Sequence, residues 1–298
     1  MENKEKVSKL EDKKCIANND ICEAWGRTGI GGRNENQDCY GGIGNGSNII
    51  FTVCDGMGGM AGGQTASSIA VTEILQTLVE TPQGEMGKEA IVKAVGSANA
   101  AIYRRAYNEP PLRGMGTTTT ILVINPEAAY LAHVGDSRIY QLRNGKKYFR
   151  TFDHSRVFEM VAQDIMTEEQ ARQSSFSNVI TRALGIKTAV KVVTEKIPYK
   201  KGDRFILCCD GIWNVKPEPQ IIKYFNEKCH AADEVQFLTD TVDEIGWNAG
   251  GEHDNLTAIV IDIKQDSKYQ YSFLQLIKRA LAPKAKIIKK AFKRNNKG

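Results

Sequence analysis

The segments VCDGMGG around Asp55 and LCCDGIWN around Asp210 each run from apolar residues straight into Asp-Gly. Such a pattern projects a carboxylate from the end of a buried strand into a tight turn. The glycine lets the backbone, with its own carbonyl oxygen, approach whatever sits there. A third stretch, EHDNLTAIVI, sets Asp254 just ahead of another strand-like run. Mg²⁺ and Mn²⁺ favour carboxylate, carbonyl and water oxygens, so three carboxylates converging from strand ends predict a cluster of hard divalent cations. Metal-dependent hydrolysis is the chemistry this implies. An Asp-Gly pair taken alone reads more readily as an ordinary turn, and it is the three acids together that favour metal.

Carboxylates so placed need strands to carry them. Apolar runs predict strands over 21–29, 49–54, 117–124, 129–134, 138–142, 204–209 and 256–263. The helical period appears over 64–80, with Ile69, Ile74, Leu75 and Leu78 near one face, and again over the alanine-rich 88–107. The glycine-rich polar stretch 29–48 reads as a loop region that cannot pack as a core. Strands and helices do not alternate regularly, which favours an α+β fold with mainly antiparallel sheet. Residues 154–182 form a polar, helical excursion in which Thr167 is an N-cap candidate, and they suit a flap facing a substrate.

At 298 residues the chain holds one large domain or two smaller ones, and 41% hydrophobic with 25% charged residues is the balance of a soluble protein. The opening MENKEKVSKLEDKK has no apolar h-region, which argues against a signal peptide and for a cytoplasmic location. The weakly charged stretch 115–135 is broken by Asn125-Pro126-Glu127, as two strands joined by a turn would be. Seven cysteines, an odd number with no C-x-x-C pair, read as buried reduced thiols, not as a zinc site or disulfide framework.

Net charge is +5, yet ten Lys and Arg with no acid lie in 267–298, leaving 30 basic against 35 acidic residues elsewhere. That tail places Phe273, Leu274, Ile277 and Leu281 at helical spacing. A basic amphipathic helix can lie on an anionic membrane or an acidic protein surface, or simply stay solvated against the acidic body. No nucleic-acid-binding module accompanies it, so no nucleic acid is expected as partner.

In order, the chain carries RNENQD (33–38), DGMGG (55–59), GMGTTTT (114–120), HVGDSRIY (133–140), DHS (153–155), RALG (182–185), CCDGIWN (208–214) and HDNLT (253–257). This series resembles the metal-dependent serine/threonine protein phosphatases of the 2C type, in particular their bacterial branch. The resemblance covers roughly residues 20–264 and implies a four-layer α-β-β-α sandwich, two mainly antiparallel sheets flanked by helices. It divides the chain into a mobile lead-in at 1–19, the phosphatase domain at 20–264 and the basic tail at 265–298.

By the same resemblance, Asp55 bridges two Mn²⁺ or Mg²⁺ ions, Gly56 ligates through its carbonyl, and Asp210 and Asp254 complete the protein ligands. Asp136 matches the residue that takes a third, looser ion; alternatively it is structural, binding Arg138 or a loop amide. Arg33 matches the arginine that grips the substrate phosphate, a role suited to its planar fork. Asp38 and Asn255 orient the ligands. The implied substrates are phosphoserine and phosphothreonine proteins, with a cognate serine/threonine kinase as partner and a monomeric state. A module that binds phosphoproteins without turnover, or a hydrolase of small phosphoesters, is the competing reading.

Two departures stand out. Animal members carry His where this chain has Met57, which leaves the general acid unassigned. They also carry Glu where this chain has Gln37, a loss of one negative charge that predicts weaker metal binding. His133 reads as a hydrogen-bonded core residue, and nothing in the sequence places the rings of His154 and His253.

Overall fold

The computed structural model describes residues 9–59, 62–227, 230–272 and 275–276. Twelve strands are present among them: β1 (Lys14–Asn18), β2 (Cys22–Gly29), β3 (Asp38–Asn45), β4 (Asn48–Met57), β5 (Gly116–Thr117), β6 (Thr119–Ile124), β7 (Ala129–Val134), β8 (Arg138–Arg143), β9 (Lys146–Arg150), β10 (Val193–Ile197), β11 (Arg204–Cys208) and β12 (Leu256–Ile263). The helices are α1 (Gly62–Glu80), α2 (Lys88–Asn108), α3 (Arg156–Ala162), α4 (Glu168–Arg172), α5 (Asp210–Trp213), α6 (Glu218–Tyr224) and α7 (Ala231–Asn248). One sheet runs β1-β2-β12-β11-β8-β9 and the other β10-β7-β6-β4-β3, with β5 paired to β4, and the pairings are antiparallel.

Strand alternation explains the layering. Successive side chains point to opposite faces, so β4 sends Ile50 and Cys54 towards α1 and α2, and Ile49, Phe51 and Val53 into the space between the sheets. On the other sheet β12 sends Ile259, Ile261 and Ile263 into that same space, and Leu256, Ala258 and Val260 towards α5, α6 and α7. Three apolar interfaces therefore separate four layers, helix, sheet, sheet, helix. These central strands read as continuous apolar runs because both faces are buried, which antiparallel sheets commonly avoid.

Two readings of the sequence need correction. The stretch 29–48 is not all loop: β3 pairs with β4 in unbroken register from Asp38↔Asp55 to Asn45↔Asn48. Its glycines mark close approach. A Cβ on Gly41 would come within 2.9 Å of Leu75, and one on Gly42 within 2.5 Å of Ile16. Bare backbone is what lets α1 and β1 lie against this edge strand. The lead-in 1–19 likewise contains a strand, since β1 pairs with β2 and sets Ile16 and Ala17 against the inter-sheet core.

The excursion at 154–182 carries a small core of its own, Val157, Phe158 and Ala171. Thr167 caps α4 in a reciprocal capping box with Gln170. The six described cysteines are free, and Cys229 lies outside the described residues. Of the tail's apolar residues, Phe273, Leu274, Ile277 and Leu281 lie outside them too.

Candidate metal centre

Asp55 lies inside β4, which runs two residues beyond it to Met57, not at the strand's end as the Asp-Gly pattern suggests, and its backbone is held on both sides. Its N–H donates to Thr118 Oγ1 at 3.0 Å, and its carbonyl accepts from Thr118 N at 2.8 Å and Thr117 Oγ1 at 2.9 Å. Gly56 N–H donates to Gln37 O at 3.1 Å, and a Cβ at Gly56 would sit 2.0 Å from Gly63 O. No side chain fits there, so only glycine leaves the backbone at this position.

The opposite sheet supplies the remaining acids. Asp210 follows β11 at the start of α5, Asp254 precedes β12, and Asp136 precedes β8. Together with Arg33, Asp55 and Gly56 they line one cavity of about 610 Å³. Thr118 Oγ1 also bonds Ser137 Oγ at 2.7 Å, tying the Asp55 strand to the Asp136 loop. Asp38 starts β3 directly across from Asp55, and its Oδ2 is buried without a hydrogen-bond partner.

Burial and mutual repulsion act on this cluster together. Burial first, then the charges of Asp38, Asp210, Asp136 and Asp254, holds Asp55 well above the usual carboxylate range. Burial and then Asp210 do the same to Asp136. Asp38 is pushed up to about 7, chiefly by burial, and Asp210 to about 6, by burial and then Asp254. Close buried carboxylates that resist joint ionisation are what cations relieve. The donor set, carboxylates with a glycine whose bare backbone lines the cavity and an orphaned acid oxygen, therefore fits hard divalent ions.

Among the described residues, however, no three His, Cys, Asp or Glu side chains are drawn together tightly enough to hold one ion as they stand. One cause is visible. Arg33 forks both oxygens of Asp254, Nε to Oδ1 at 3.0 Å and Nη2 to Oδ2 at 2.8 Å. The residue expected to grip phosphate is engaged with an expected metal ligand.

Asn255 uses its whole amide to fix the loop beneath the cavity: Oδ1 accepts from Gln37 N at 2.9 Å, and Nδ2 donates to Ile30 O and Glu35 O at 2.8 and 2.9 Å. Glu35 is a residue the sequence reading passed over. It lines the same cavity, and Gln37 Nε2 donates to its Oε1 at 2.5 Å. A carboxylate thus stands two residues from the amide whose neutrality suggested a missing charge, and RNENQD displays it openly.

Asp136 does not bind the side chain of Arg138, as one alternative had it. Arg138 forks Asp153 at 2.8 and 2.7 Å and lies 3.3 Å from the centroid of Trp213, whose Nε1 donates to Asp136 O at 3.0 Å. This buried stack braces the Asp136 backbone. His133 is a core residue bonded to Phe152 O at 2.9 Å, stacked on His154 with centroids 4.4 Å apart. Burial, then His133, pushes His154 down to about 3. His253 bonds Asp243 at 2.8 Å. The cavity is lined by Met57 and by none of these imidazoles.

Comparison with known proteins gives the same pattern a family. The protein phosphatase 2C family matches residues 25–245. The serine/threonine phosphatase stp of Listeria monocytogenes serovar 1/2a is 32% identical over 235 residues, 77% of this chain and 91% of that protein. The serine/threonine phosphatase PstP/Ppp of Mycobacterium tuberculosis superposes with a TM-score of 0.69 at 28% identity, over 82% of this chain and 100% of that one. A PstP catalytic domain in complex with two manganese ions gives a TM-score of 0.69 at 28% identity, over 82% and 98%. On the match across 25–245 and the identity to the Listeria enzyme, this chain belongs to the protein phosphatase 2C family.

Proposed function

We propose that the chain hydrolyses phosphoserine and phosphothreonine in proteins with the help of Mn²⁺ or Mg²⁺, and reverses serine/threonine kinase signalling. The observation that carries this is one cavity where buried and half-buried carboxylates from two sheets meet an arginine fork at the rim. Asp55, Gly56, Asp210 and Asp254 would hold two core ions, and Asp136 a third. Bound divalent ions would supply Lewis acidity, acidifying water and offsetting phosphate charge.

The chain's own residues do the rest. Thr117, Thr118 and Gln37 fix the Asp55-Gly56 backbone, so its position does not shift when charge develops. Asp38, whose carboxyl is held by burial above the usual carboxylate range, stands directly across the β3–β4 pair from Asp55. Arg33 presents two parallel N–H groups, and a phosphate offers the same two-oxygen edge that Asp254 now occupies. Substrate binding and Asp254 therefore share one guanidinium.

The catalytic unit is assigned to 20–264, joined by β1 at its edge and by 267–271. There Ser267, Lys268 and Tyr269 bond Tyr199, Pro126 and Glu127, and Tyr271 packs on the inter-sheet core. The remainder of the basic tail is assigned to contact with an anionic membrane or acidic protein surface. Among the described residues no helix is long and apolar enough to cross a membrane. A monomeric, cytoplasmic enzyme opposing a cognate kinase is the cellular setting proposed.

Phosphate release from a phosphothreonine peptide with Mn²⁺, with EDTA and with Asp55→Asn tests the reading. Turnover that vanishes in both controls is expected. Turnover indifferent to EDTA and to the substitution refutes it, and Mn²⁺ binding without turnover points to phosphoprotein recognition alone.

A further inference from the structure

Beside the metal cavity, and sharing Met57 and Ile180 with it, lies a second hollow of about 500 Å³. Apolar Ile186, Ala189 and Val190 line it together with Arg182, Lys187 and Lys191, and no acidic residue does. None of these three cations is ion-paired with any described residue. Lys187 and Lys191 are exposed, and Ile186 leaves 44% of its surface open.

The segment is held in place from beneath. Asn99, buried on α2, accepts from Gly185 N at 2.9 Å and donates to Lys187 O and Thr188 O at 3.0 and 3.2 Å. Leu184 exchanges both backbone bonds with Thr117, at 2.9 and 3.2 Å, and Thr117 in turn pairs with Gly56. The backbone of 184–188 is thus held in register with the Asp55-Gly56 backbone, and a ligand need not order that part of the loop.

A strongly acidic cavity and an uncompensated cationic hollow adjoin each other. Extended peptide advances about 3.3–3.6 Å per residue, so two to four residues span roughly 7–14 Å, the scale of two adjoining hollows. We propose that this hollow receives an anionic side chain flanking the phosphorylated residue of the substrate, so that the chain selects acidic or doubly phosphorylated sites. The proposal rests on the phosphatase reading and adds a substrate class to it. Lys187 and Lys191 act as point charges, whereas the Arg182 fork suits either carboxylate or phosphate.

The test compares wild type with Lys187→Glu/Lys191→Glu on three phosphothreonine peptides, whose flanks are neutral, glutamate-bearing or carry a second phosphothreonine. Two exposed ion pairs give an expected wild-type preference of about 3- to 10-fold in kcat/KM for the anionic flanks, weakened in about 0.5 M salt. The variant loses or inverts that preference yet hydrolyses para-nitrophenyl phosphate as wild type does. A preference for the second phosphate alone keeps the hollow and assigns it to phosphate. Equal rates on all three peptides, or a variant that keeps the preference, overturn the proposal.

Fluorescence anisotropy of the labelled peptides in EDTA reads the same selectivity without turnover. If wild type with Mn²⁺ hydrolyses neither peptides nor para-nitrophenyl phosphate, the phosphatase reading fails. The hollow then stands or falls on the anisotropy: tighter binding of anionic flanks that the variant abolishes upholds it, and no difference sinks it.

Discussion

Replacing Arg33 by alanine should improve metal binding while damaging substrate binding. The guanidinium holds both oxygens of Asp254 in a pair whose side chains are 54% and 41% exposed. An ion that takes Asp254 as ligand must first displace this fork. An exposed pair of this kind is worth about 0.2–1 kcal/mol. Its removal should therefore tighten Mn²⁺ binding about 1.4- to 5-fold, at about 1.36 kcal/mol per decade. Taking a cation away from a cavity lined by Asp55, Asp136, Asp210 and Asp254 deepens the negative potential, which acts in the same direction.

The substrate loses a charge-assisted partner worth about 1.5–3 kcal/mol, so kcat/KM on a phosphothreonine peptide should fall about 10- to 150-fold. Calorimetric titration of the metal-free protein with Mn²⁺ gives the first number, and steady-state kinetics at saturating metal the second. Arg33→Lys, which keeps the charge without the fork, separates the two effects. Weaker Mn²⁺ binding by Arg33→Ala would refute the reasoning, because Arg33 would then support Asp254 as a ligand instead of competing for it.

Two further outcomes follow from the cavity and its bracing. Asp38 and Asp210 are raised to about 7 and about 6, above the unfolded value, so their contribution to stability is full below about pH 4 and is lost as pH rises through those folded values. The Mn²⁺-induced gain in Tm should accordingly be larger at about pH 8 than at about pH 5 by scanning fluorimetry, and an equal gain at both would contradict the repulsion argument. Asp153→Asn strands the buried Arg138 charge at a cost of about 3–5 kcal/mol, a drop in Tm of roughly 6–20 °C for a chain of this size, whereas a drop under about 2 °C would show the pair to be dispensable.

What the sequence discloses follows from how local each cause is. The strands β4, β11 and β12 are readable because burial on both faces makes them continuous apolar runs, and the Thr167 cap is readable because its bond spans three residues. β3 hides because its glycines answer to Leu75 and Ile16, residues far along the chain in both directions. The acids at the cavity are all visible as sequence features, yet their partners are not. Arg33 reaching Asp254 and Arg138 preferring Asp153 to Asp136 are outcomes of packing between distant parts of the chain. The structure also gives Trp213 a bracing role that its position after Asp-Gly-Ile does not announce.

The pairing of β2 with β12 sets a schedule for the molecule. Its register joins Cys22 to Ile263 and Gly29 to Leu256, so Arg33 and Asp254 meet only when residues from the two ends of the sandwich come together. Closing a loop of some 200 residues costs only about 3 kcal/mol more than closing one of ten, so equilibrium stability scarcely registers the distance. Timing does, because β12 cannot dock before it has been synthesised, and translation proceeds at about 5–20 residues per second. A nascent chain that already displays Asp55, Asp136 and Asp210 still lacks Asp254 and the strand that carries it. The Arg33–Asp254 pair therefore forms only once synthesis has passed β12, and a chain stopped short of it has a cavity that lacks one of its walls.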